Sequence, residues 1–196
     1  MKHNWISLLK QDLNFIVYQK GTTDKLRFLK AALSPSFICT FLYRFSHLLF
    51  IFRVPLVPRL FWWFNLLIFG VDIDQRSKLY GALYLPHPMN ICIGQHVTLS
   101  GSAKIMQGAT LGGNLGKRQQ RNAIIFSQPT LQGQVFIGIN SIVAGPVLLS
   151  GNIFIAAMQI VGEDITDDGL YFQQQLLPLK SQHLKELGVI CDPTPH

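Results

Sequence analysis

Residues 91–105 read ICIGQHVTLSGSAKI, and the spacing of their apolar positions decides the fold. Ile91 and Ile93 sit two apart. Val97 and Leu99 repeat that step six residues on, and Ala103 and Ile105 repeat it again. The beat continues at Ala109/Leu111 and, after a break, at Pro129/Leu131, Val135/Ile137, Ser141/Val143, Val147/Leu149 and Ile153/Ile155. Of these 18 positions only Pro129 and Ser141 are not apolar, in a chain that is 48% apolar overall, so the pattern is signal. A plain strand would keep alternating through the position after each pair. Those positions are Gln95, Gly101, Gln107, Gly133, Ile139, Gly145 and Gly151, and glycine or glutamine at six of the seven makes the chain turn there. Two inward residues and one turn per six spell a hexapeptide β-helix, whose coils bury each other's apolar faces. A sandwich would need longer strands and less even turns.

The period slips twice. Val71/Ile73 and Leu83/Leu85 share one register, but eight residues separate Leu85 from Ile93, and the excess falls in PHPMN at 86–90. The second slip, between Leu111 and Leu131, contains GGNLGKRQQRN at 112–122. A histidine between prolines therefore marks one departure from the repeat, and a basic glycine-rich loop marks the other. Such departures are where function is sought. Upstream, Leu9, Leu13, Ile16 and Val17 recur at helical spacing, Ser34-Pro35 opens a second helix, and a third runs over about 58–69 to a stop at Gly70. The expected organisation is a helical region at 1–70, a β-helix at 71–162, and a tail at 163–196 with a short helix over 181–187.

Composition narrows the class. The 196 residues bury a sizeable core, and few charges with many apolar residues exclude a disordered chain. Cys39, Cys92 and Cys191 are too few and scattered for a disulfide framework, which points to a reduced, cytoplasmic setting. No signal peptide is evident at the start. Residues 37–71 are the greasiest, but arginines and prolines divide them, so the reading is surface contact with a membrane rather than a span. Net charge is +7, and between Lys25 and Gly162 only Asp72 and Asp74 are acidic. Such a chain suits an anionic partner, a phosphate-bearing cofactor or lipid headgroup before nucleic acid, for which no motif is present.

From about 43 to 155 the chain resembles the serine acetyltransferases and their hexapeptide-repeat acyltransferase relatives. The resemblance is carried by YRFSHLLF, VDI, PHPMNICIG, GATLGG and the basic loop ending in RN. It implies a mainly β protein: a left-handed parallel β-helix behind N-terminal helices, trimeric with active sites between subunits, and with pairing into hexamers open. Acetyl-CoA would be the acyl donor, without a metal. His87, spaced from Asp72 as in the family, would be the general base, and Asp72 would fix its tautomer. This residue type suits the task, because a hydroxyl attacking an activated thioester needs only a base near physiological pH. A backbone N–H of Gly112 or Gly113 would receive the oxyanion. Lys117, Arg118 and Arg121 are candidates for the cofactor phosphates, with Gln107 and Asn122 for the acceptor. Tyr43, Arg44 and His47 match the helical motif and are assigned to packing.

Several family positions differ. Pro86 replaces an aspartate before the histidine, Gln95 a glutamate, and Asn122 a histidine, and the N-terminal Asp-Pro element is missing. An amino-acid ammonium wants carboxylates, and sugar hydroxyls do not. The leading expectation is therefore an O-acetyltransferase acting on a glycan in surface-polysaccharide assembly, at the inner face of the membrane. Serine acetylation comes second and a non-catalytic scaffold third.

Overall fold

The computed structural model describes residues 4–21, 23–121 and 123–187. Four helices come first: α1 (Trp5–Gln19), α2 (Arg27–Ala32), α3 (Pro35–Ile51) and α4 (Val57–Phe69). Ser34 caps α3, its hydroxyl accepting from Phe37 N, and Gly70 ends α4 in the left-handed region.

The chain then winds into coils of three short strands. The first comprises β1 (Asp72–Ile73), β2 (Lys78–Leu79) and β3 (Ala82–Tyr84), and the second β4 (Cys92–Ile93), β5 (Thr98–Leu99) and β6 (Ser102–Ile105). The third starts with β7 (Thr110–Gly112), leaves the stack as an antiparallel hairpin of β8 (Gln119–Arg121) and β9 (Ile124–Phe126), and returns through β10 (Thr130–Ile137). Next come β11 (Ile142–Ala144), β12 (Leu148–Ile155), β13 (Ile160–Val161) and β14 (Gly169–Phe172), then β15 (Gln175–Leu177) and α5 (Ser181–Leu187). Face one of the coil stack is the parallel order β1-β4-β7-β11-β13. Faces two and three form one sheet, because β10 and β12 run unbroken through the corner between them at Gly133 and Gly151. That corner needs glycine: a Cβ on Gly101 would lie 1.8 Å from the Gly133 carbonyl oxygen.

All eighteen repeat positions are buried, Pro129 and Ser141 among them. They stack in ladders, such as Ile73–Ile93–Leu111–Val143–Val161 on face one. The first slip is visible as a coil two residues longer than the next, 73 to 93 against 93 to 111. The stack also runs past 162, where the tail was expected to begin. Ile165 bridges Leu149, β14 pairs in parallel with β12, and Ile165 and Tyr171 are buried. Inward positions at 161, 165, 169 and 171 break the even beat, which hides this last coil from the sequence.

Coil one has strands on one side only, so its other edge carries unpaired backbone groups. The helical region satisfies them. Tyr43 Oη donates to Ser77 O (2.9 Å), Arg44 to Leu79 O and Gly81 O, and His47 Nδ1 to Gln75 O (2.8 Å), while Leu83 N donates to Asp12 Oδ1 (2.8 Å). Asp12 and Arg44 also pair with each other at 2.9 and 3.0 Å, fully buried. Burial works against the guanidinium charge, but Asp12 beside it holds Arg44 above its ordinary range. The Tyr-Arg-His motif thus closes the open end of the solenoid. At the far end β15 folds back antiparallel on β14. From there α5 lies over face three, its His183 ring 4.8 Å from Phe154 and its Glu186 paired with Lys104.

Candidate active site

The two extra residues of coil one bulge at the corner between face three and face one. His87 is exposed at the tip, yet its neighbours are fixed. Pro88 is buried, Met89 N donates to His87 O (2.8 Å) across a three-residue turn centred on that proline, and Ser36 Oγ reaches Pro86 O (3.4 Å) from α3. Asn90 closes the bulge in the left-handed region (φ 51°). The histidine is therefore presented to solvent from a braced loop. Gly108 N donates to Met89 O (3.0 Å), which sets Gln107 at the same corner one coil on. Its Oε1 is buried without a hydrogen-bond partner among the described residues.

Asp72 points outward from β1 beside Cys92 of β4. Burial, and then the Asp72 charge, raise the Cys92 thiol above its ordinary value. Asp72 Oδ1 accepts from Trp62 Nε1 of α4 (2.7 Å), and no hydrogen bond joins Asp72 to His87 among the described residues. Trp62 is thus a partner of the carboxylate that sequence reasoning missed. Its only signal was an indole on the helix preceding VDI. Both residues line a cleft of about 330 Å³ with Phe50, Arg59, Asp74, Gln75 and Arg76. Burial works against the Asp74 carboxylate, but Arg76, bonded through Nε and Nη2, holds it below the usual range.

Gly112 and Gly113 stand at the opposite edge of face one, where the hairpin departs. A Cβ on Gly112 would meet nothing within 4 Å, and its φ is not positive, so packing within the chain does not demand glycine there. Open backbone at such a point suits a ligand approaching closely. Lys117 and Arg118 are exposed just before β8, at the open end of the hairpin. Arg121 is not available in the same way: its Nη2 is held at 2.6 Å by Asp164 and by Pro146 O. Asn122 lies outside the described residues. Face one is two or three residues wide, about 7–10 Å, and His87 precedes its β4 edge while the glycines follow β7, so within one chain they stand at opposite edges of that floor.

No family model matches the chain. It is 28% identical over 162 residues to a serine acetyltransferase of Synechococcus elongatus, covering 83% of this chain and 62% of that one. A serine acetyltransferase of Staphylococcus aureus is 28% identical over 96 residues, 49% of this chain and 42% of that one. Among solved structures, the Neisseria gonorrhoeae serine acetyltransferase superposes with a TM-score of 0.73 at 22% identity, covering 90% of this chain and 66% of that chain. A serine acetyltransferase solved with CoA gives 0.69 at 20%, covering 85% and 65%. The chain spans less than two thirds of the length of these relatives. The shared architecture is the left-handed parallel β-helix behind N-terminal helices.

Proposed function

From its place among left-handed hexapeptide-repeat proteins related to the serine acetyltransferases, we propose that this chain transfers an acyl group, acetyl first, from coenzyme A to a hydroxyl. The observation that carries the reading is His87, held out to solvent by a buried proline at the bulge of an otherwise regular coil. Its imidazole takes the hydroxyl proton as the oxygen adds to the thioester carbonyl. The oxyanion receives the backbone N–H of Gly113, with Gly112 leaving room for the approach. Collapse expels the thiolate, and the imidazolium returns the proton to it. Asp72, whose carboxylate is bonded to Trp62 and not to His87 in the single chain, would orient the imidazole once the site is assembled. Lys117 and Arg118 meet the phosphates of the donor, and Gln107 offers its unpartnered carbonyl to the acceptor.

Because His87 and the glycines stand at opposite edges of face one, a complete site joins the corner of one copy to the edge of the next. We place the chain in a homotrimer for that reason. Exposed Met89, Ile139, Ile142, Met158 and Ile160 along the same side support it.

The names of the relatives favour free serine as acceptor over the sugar hydroxyl that the sequence put first. One observation keeps the sugar reading as the second: Pro86, Gln95 and Asn122 replace family positions that carry an acid or a histidine, and Asp74 is already neutralised by Arg76. Thiol release from acetyl-CoA by the purified protein, with L-serine and then with nucleotide sugars, separates the two. His87→Ala should lower turnover on the productive acceptor by at least about a hundredfold with the fold intact. Undiminished turnover would sink the mechanism.

A further inference from the structure

On α4, Leu60, Trp63, Phe64, Leu67 and Ile68 follow one another at the spacing of one helix face. In most soluble helices that face is the buried one. Here it is turned out, each residue 46–70% exposed. The polar Asn65 is buried on the other side, its Nδ2 donating to Cys39 O at 3.1 Å. The α3–α4 connection extends the surface with Phe52 and Leu56, 71% and 81% exposed. Arg53 and Leu56 both have positive φ (57° and 61°), uncommon for long side chains, and both are exposed.

The charge on this surface is basic, and the carboxylates that border it, Asp72 and Asp74 in the cleft that Arg59 also lines, are engaged by Trp62 and Arg76. No aspartate or glutamate occurs from residue 25 to 71, and Arg53 and Arg59 flank the apolar face. The ion pairs among the described residues use neither arginine. We propose that the α3–α4 corner docks on an anionic lipid bilayer, with α4 lying in the plane of the interface. Leu60, Phe64, Leu67 and Ile68 enter the acyl boundary, Trp63 sits at headgroup level, and the two arginines meet lipid phosphates. Contact is one-sided, since no helix among the described residues is long and apolar enough to cross a membrane. A second copy is the poorer occupant, because the α3–α4 corner carries no carboxylate of its own and the two that border it are already bonded to Trp62 and Arg76.

The position has a use. Phe50 and Arg59 line both the cleft that holds Asp72 and a shallower one continuing to Val54 and Leu56. A docked bilayer would therefore border the candidate site and could present an acceptor carried on a lipid. The docking stands whether or not the acyl-transfer reading does.

The test is flotation of the whole protein with vesicles of phosphatidylcholine alone, and of phosphatidylcholine mixed with phosphatidylglycerol, at low and raised salt. Expected are binding to the mixed vesicles, weaker binding to the neutral ones, and loss with salt. Leu67→Glu with Ile68→Glu should cut the partition at least about tenfold with unchanged thermal unfolding, because both side chains are exposed. Failure of the wild type to float with mixed vesicles would overturn the proposal, as would equal flotation of the double variant. So would a solution assembly that the substitutions split, which would give the face to a second copy.

Discussion

Replacing Arg44 with methionine tests how the solenoid is closed at its first coil. In the native chain the guanidinium bonds the Asp12 carboxylate twice and also caps Leu79 O and Gly81 O, all with side-chain exposures of 1% for Arg44 and 0% for Asp12. The substitution leaves Asp12 buried with only the Leu83 N–H, and strands both carbonyls. Breaking one side of a buried ion pair costs about 3–5 kcal/mol. For a chain of this size each kcal/mol is about 2–4 °C in Tm, so the expected fall is about 6–20 °C. Thermal unfolding by far-UV circular dichroism reads it, at one protein concentration so that assembly does not enter. Asp12→Leu with Arg44→Met removes the charge imbalance but still orphans Leu83 N, Leu79 O and Gly81 O. It should recover only part of the loss, each orphan costing about 1–3 kcal/mol. A single variant within about 1 kcal/mol of wild type, or a double variant restored to it, would refute the capping argument.

Three further outcomes are expected. Burial lowers the folded pKa of His47 beneath its ordinary 6.5, so the unfolded chain binds the extra proton, and stability should fall as pH drops from 6.5 toward the folded value. His47→Asn should flatten that part of the Tm–pH curve, and an unchanged slope would assign it elsewhere. Gly101→Ala drives a methyl into the Gly133 carbonyl, for a loss of at least about 3 kcal/mol by denaturant unfolding, and a wild-type midpoint would contradict the tight corner. Burial pushes the Cys39 thiol up to about 12, so it should resist alkylation in the native state; Cys92 should alkylate faster in Asp72→Asn, and no change would separate those two side chains.

The solenoid was legible because its apolar beat answers to burial alone, and burial is what composition records most directly. Every inward position from 91 to 155 followed. The last coil was not legible, since Ile165 and Tyr171 sit off the beat among acidic turns. The assignment of Tyr43, Arg44 and His47 to packing agrees with their bonds to coil one, though what they cap depends on strand direction, which no spacing shows. At the candidate site the bulge bearing His87 could be placed from a two-residue slip. The Trp62–Asp72 bond and the capture of Arg121 by Asp164 could not, because each joins elements whose approach is set by tertiary packing.

A stack of coils touching only its neighbours can in principle melt coil by coil from either end. Helix α5 works against that. Because α5 returns over face three to place Glu186 O 3.1 Å from Gln19 Nε2 at the end of α1, the helix that follows the last coil meets a helix that packs on the first. Fraying the last coil then also loosens the first, so a ladder of local contacts acquires all-or-none character. Deleting 178–196 should broaden the unfolding transition more than it lowers the midpoint, turning one cooperative unit into a row of nearly independent ones.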